Sequence, residues 1–161
     1  MIASDASCKR TETILSAPAD TLKSISISPQ DIQVLRDIES FILRTENISS
    51  YDFRYLGKEL LKGSDCYVFE VVPKKDAGSN SFTGQIWVED TDLHILKLYG
   101  KLARDSRANN SENLFPRMEI TRELVDGTYW FPATATSTDT LSFSSGPQKI
   151  RQLVQYDNYK K

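Results

Sequence analysis

Three carboxylates, Glu89, Asp90 and Asp92, crowd together just ahead of the only histidine in the chain, His94. Carboxylates this close could ligate calcium, and one of them could orient His94 as a general base. The calcium reading lacks the EF-hand spacing and its glycine. The catalytic reading lacks a nucleophile, since no Gly-x-Ser-x-Gly accompanies His94 and Leu93, Ile95 and Leu96 surround it. The stretch reads instead as a polar hairpin turn followed by a partly buried structural histidine. Glu119 and Glu123 share a strand face with Arg117 and Thr121, which resembles a solvated charge ladder more than a glycosidase's acid and base. No enzymatic activity, metal or cofactor is expected.

The remaining chemistry is apolar. Trp87 and the run Tyr129-Trp130-Phe131-Pro132 hold the largest aromatics, which could line a pocket or stack on a sugar but read first as core. Segments 66–99 carry apolar residues on both alternating faces. A flat sheet with one helix buries only one face well, so the second face calls for curvature, a ligand or a partner copy.

The elements that position these residues are mostly strands. About eight segments between Phe53 and Tyr156 read as β, joined by polar turns. They are Phe53–Lys62, Cys66–Lys74, Ser81–Asp90, Leu93–Tyr99, Phe115–Val125, Tyr129–Ser137, Thr140–Ser144 and Ile150–Tyr156. The turns between them include Gly63-Ser64-Asp65, Asp126-Gly127 and Ser145-Gly146-Pro147, of which Asp126-Gly127 is the strongest hairpin signal. Arg104–Asn113 is a polar loop. A short strand is expected at Leu22–Ile27.

One helix is expected from about Pro29 to Leu43. Ser28 serves as its N-cap, Pro29 opens its first turn, and Ile32, Leu35, Ile38 and Ile42 recur at helical spacing. The fold class is therefore mainly β, a curved antiparallel sheet with one packed α-helix. Residues 1–161 form a single domain in this reading, with 1–21 irregular and 22–159 the core.

Composition sets the outer bounds. The chain has 161 residues, 39% of them hydrophobic and 26% charged, enough for a folded core. A net charge of −2 with scattered lysines and arginines argues against nucleic acid as a partner. No apolar run approaches the roughly 18 residues of a membrane-spanning helix. The first residues carry no signal-peptide pattern. Cys8 and Cys66 are too far apart for a Cys-x-x-Cys motif and read as two free thiols, with a disulfide as the alternative.

Several short words then occur in a telling order. Tyr67-Val68-Phe69-Glu70-Val71-Val72-Pro73-Lys74-Lys75 comes first, followed by Phe82-x-Gly84-x-Ile86-Trp87-Val88-x-Asp90 and Leu96-Lys97-x-Tyr99-Gly100. Later come Phe115-Pro116-Arg117, Asp126-Gly127-x-Tyr129-Trp130-Phe131-Pro132 and Asp139-Thr140-Leu141-x-Phe143. Together, over about residues 22–159, they resemble the bacterial outer-membrane lipoprotein-sorting proteins of the LolA-like family.

The resemblance implies a half-open antiparallel barrel, lidded by helices, that holds acyl chains in a hydrophobic concavity. It implies a non-enzymatic role in the periplasm or cell envelope, with lipid or lipoprotein acyl chains as ligands and envelope proteins as further partners. An alternative within the same superfamily is a periplasmic sensor or scaffold that carries no lipid. Carriers of this kind begin with a further helix and strands, so the chain is expected to be an amino-terminally truncated form. The lining residues chosen by alternation are Phe69, Val71, Ile86, Val88, Ile120, Leu141 and Phe143, with the opposite set open as an alternative.

Overall fold

The computed structural model describes residues 3–4, 10–11, 48–77, 81–103, 116–143, 146–157 and 159. The chain divides into two units, Met1–Ile32 and Gln33–Lys161. In the first, β1 (Ala3–Ser4) and β2 (Arg10–Thr11) pair antiparallel, inside the stretch expected to be irregular. The expected strand Leu22–Ile27, the expected helix Pro29–Leu43, the loop Arg104–Asn113 and Cys8 all lie outside the described residues.

The second unit is built on one seven-stranded sheet. A 3-10 turn at Ile48–Ser50 leads into β3 (Tyr51–Leu61), β4 (Ser64–Pro73), β5 (Ser81–Glu89) and β6 (Ile95–Ala103). There follow β7 (Met118–Val125), β8 (Tyr129–Phe143) and β9 (Gly146–Gln155). Each strand pairs antiparallel with its neighbour in sequence, and the sheet is not closed, with β3 and β9 as its edges. Among the described residues no helix is long and apolar enough to cross a membrane.

The turns explain where strand boundaries depart from the sequence expectation. Lys62 and Gly63 both adopt positive φ, 51° and 88°, so the chain reverses there and Ser64 already pairs with Leu61. A Gly in the left-handed region carries no Cβ penalty, and that fixes the turn one residue earlier than expected. Asp126 and Gly127 take φ of 52° and 63° and turn the chain where expected. Tyr129–Ser137 and Thr140–Ser144, read as two strands, are one continuous β8 as far as Phe143. Gly146 and Pro147, read as a turn, begin β9, with Gly146 opposite Phe143.

Register sorts the side chains into rows. Tyr55, Phe69, Ile86, Leu98, Ile120, Ala135 and Val154 face one another in turn across all seven strands. The next row runs Phe53, Val71, Gly84, Gly100, Met118, Ser137 and Gln152. These rows share one face, and its centre is the main core of Tyr51, Val71, Phe82, Ile86, Leu98, Leu102, Met118, Ile120 and Ala135. Each large apolar side chain removed from water there contributes about 1.5–3 kcal/mol.

Gly84 and Gly100 stand opposite each other, and a Cβ on either would run into the facing backbone and the Phe82 ring. The two glycines thus leave the space that the Phe82 ring fills. Register shifts at Tyr55/Gly57, Trp87/Val88 and Thr121/Arg122 add local bends.

Candidate functional site

Six of the seven residues expected to line a ligand cavity, all but Phe143, fall on one face. Phe69, Ile86 and Ile120 belong to the row that crosses the whole sheet, and Val71 to the row beside it. Val71, Ile86, Ile120 and Leu141 are buried, at 0%, 4%, 2% and 3% exposure. Phe69 and Val88 are half-buried and pack against the same core. Phe143 ends β8 opposite Gly146.

Towards the β3 edge this face becomes aromatic and wet. Phe53 and Tyr55 are 41% and 55% exposed although they sit in the apolar rows. The Tyr55 ring lies 5.6 Å from that of Phe69 and 6.3 Å from that of Tyr67, while Phe53 lies 6.4 Å from Tyr51. The Tyr51 hydroxyl accepts a hydrogen bond from the Phe82 backbone amide at 3.2 Å. Alternation alone did not single out Phe53 and Tyr55, because their exposure depends on where the sheet ends.

The opposite face changes character along the strands. Near the β3–β4 turn, Cys66, Val68, Trp87 and Leu96 form a second buried cluster, with Leu61 and Trp130 packed against it. The Lys97 ammonium lies 4.6 Å above the Trp87 ring and pairs with Glu119 at 2.8 Å. The expected aromatic block is therefore split. Trp130 joins this cluster, while Phe131 stacks on Tyr159 at 4.5 Å and Tyr129 is exposed.

Where β7 begins lies an open groove of about 540 Å³, lined by Tyr99, Lys101, Arg117, Glu119, Thr136, Ser137, Thr138 and Asp139. Past Met118 and Ser137, where β7 leaves β8, side chains replace the backbone ladder. The Arg117 amide donates to Asp139 Oδ2 at 2.9 Å, and Ser137 Oγ donates to the Arg117 carbonyl at 2.8 Å. The Thr140 amide donates to Asp139 Oδ1 at 2.8 Å. The Arg117 amide foremost, with the Thr140 amide and the nearby Arg117 and Lys101 charges, holds the Asp139 carboxyl below its ordinary pKa. The Arg117 guanidinium sits 5.6 Å from the Tyr99 ring centroid.

A scan against protein families, a search of curated proteins and a search of solved structures find no match to this chain.

The acidic turn is internally satisfied. Glu89 accepts from the amides of Thr91 and Asp92, each at 2.8 Å, and the Asp92 amide foremost holds its carboxyl below the ordinary range. Asp90 pairs with Lys58 at 2.8 Å, and that hydrogen bond foremost raises the Lys58 pKa. Among the described residues no group of three His, Cys, Asp or Glu side chains converges as metal ligands.

His94, expected to be partly buried, is exposed, with its ring 5.9 Å from that of Trp130. Leu93, directly before it, takes a positive φ of 59°. The turn continues through it, which leaves Leu93 itself 64% exposed. The apolar neighbours of His94 in sequence therefore do not form a shell around it. Cys66 is a buried free thiol, and burial foremost pushes its pKa up.

Proposed function

We propose that the chain is a non-enzymatic binding module of the cell envelope that takes acyl chains of lipids or lipoproteins on the apolar face of a LolA-like half barrel. The observation that carries this reading is the apolar row that crosses an unclosed sheet and ends in the half-exposed aromatics Phe53 and Tyr55. An acyl chain laid against that margin exchanges water for Phe53, Tyr55, Phe69 and Val88. Each buried methylene is worth about 0.8 kcal/mol, so uptake is reversible for a single chain and tightens with length. Phe69, Val71, Ile86, Val88, Ile120, Leu141 and Phe143 form the continuation of the binding face in this reading.

A second reading is a periplasmic sensor or scaffold that binds envelope proteins and no lipid. It draws support from the near-complete burial of Val71, Ile86, Ile120 and Leu141, since side chains already packed have no area left for a ligand.

Native mass spectrometry with lipid extraction separates the two. Acyl species that co-purify or are taken up, and are lost in Ile86→Asp and in the surface variant Tyr55→Asp, support the carrier. Wild-type protein that remains apo with added fatty acid and phospholipid supports the interaction module. Tyr55 is exposed, so its variant reads binding without disturbing the core.

A further inference from the structure

We propose that the groove between β6, β7 and β8 binds a small phosphate-like oxyanion through Lys101 and Arg117. Lys101 and Arg117 alternate onto the face opposite the apolar rows, so this site is tested separately from acyl-chain binding.

The argument begins with the register. The β6–β7 ladder closes at Gly100 and Met118, which makes Lys101 and Arg117 the next positions outward on the face of Tyr99 and Glu119. Cations at facing positions repel one another. The carboxylates nearby are already engaged. Both oxygens of Asp139 accept backbone amides, and Glu119 pairs with Lys97. No ion pair with a described residue holds the Lys101 ammonium or the Arg117 guanidinium. The Asp139 charge offsets part of that repulsion, and an oxyanion between the two cations relieves the rest and supplies acceptors that no described carboxylate gives them.

The groove is also pre-arranged for such a ligand. Asp139 and Ser137 clamp the Arg117 backbone from both sides, so its side chain leaves from a fixed point. The Arg117 guanidinium also lies over the Tyr99 ring, 5.6 Å from its centroid, a contact that limits where the side chain can swing. Thr136 and Thr138 add hydroxyls to the groove lining. A volume of about 540 Å³ suits a phosphate monoester with a small body. With a net charge of −2 the chain offers no broad attraction to polyanions, which favours a compact ligand.

Inorganic phosphate and glycerol phosphate, titrated at low ionic strength and followed by calorimetry and amide NMR, test the site. Millimolar-range binding with shifts at Lys101, Arg117 and Thr138 is expected. Arg117→Gln and Lys101→Gln should each weaken it by roughly tenfold, and Lys75→Gln should leave it unchanged. Co-sedimentation with phosphatidylglycerol vesicles then identifies the source. Vesicle binding lost in both groove variants assigns a lipid headgroup, and binding of soluble phosphate alone assigns a free ester. Wild-type protein that takes up no phosphate, or uptake that survives the double variant, overturns the proposal.

Discussion

The indole Nε1 of Trp87 donates a 2.8 Å hydrogen bond to Glu59 Oε2, reaching from β5 to β3 across the back of β4. Trp87 is 7% exposed, so its N–H has little water to fall back on. Glu59→Ala should therefore destabilise the fold by about 1–3 kcal/mol, the cost of an orphaned buried donor. Trp87→Phe in the same background should recover part of that loss, because it removes the orphan. Urea unfolding of the three variants measures both, and additive losses would refute the pairing.

Gly100→Ala tests the close approach of β5 and β6. The added Cβ meets the Thr83 carbonyl oxygen and the Phe82 ring, and backbone cannot step aside as a flexible side chain can. A loss of about 1–3 kcal/mol is expected. Shrinking the ring with Phe82→Leu should not rescue it, since the Thr83 oxygen remains in the way. Thermal unfolding of the single and double variants reads the result.

Asp139 makes stability depend on pH in a defined direction. Its folded pKa lies below the ordinary carboxylate value, so its contribution is present above the unfolded pKa of about 3.9. The contribution is lost as pH falls through the lower folded value. Asp139→Ala, which frees the amides of Arg117 and Thr140, should cost about 1–3 kcal/mol at neutral pH. The gap to wild type should narrow below about pH 4. Denaturant titrations at the two pH values check this, and a constant gap would refute it.

Cys66 should behave as an inert thiol. It is fully buried, burial raises its pKa, and its Sγ lies 3.6 Å from the Ser64 carbonyl oxygen. In a Cys8→Ser background, alkylation of native protein should be slow and should accelerate with added denaturant in step with unfolding. Rapid modification without denaturant would show that the second cluster opens locally.

Most of the sheet was legible because period-two alternation and turn chemistry act locally. Tyr67, Phe69 and Val71 alternate with Cys66, Val68 and Val72, and Asp126-Gly127 turns where its residue types demand. The continuous β8 was not legible. Pro132 and Asp139 are poor strand residues on propensity, but Pro132 falls beside the Thr121/Arg122 register shift and Asp139 is satisfied by the Arg117 amide. Both compensations come from β7 or the residue just before it, a different segment of sequence. The groove was hidden for the same reason. Tyr99, Lys101, Arg117 and Asp139 become neighbours only once the β6–β7–β8 register is set, and no spacing within one segment announces them.

Among the described residues the pairing of β6 with β7 covers only Lys97–Gly100 against Met118–Thr121, while the ladders on either side are longer. A sheet is as strong as its shortest seam. Under load, or in the rare openings that amide exchange records, the plate should part there first, into a β3–β6 leaf and a β7–β9 leaf. Lys101 and Arg117 sit at the mouth of that seam, so whatever bridges them also acts as a clasp between the two leaves.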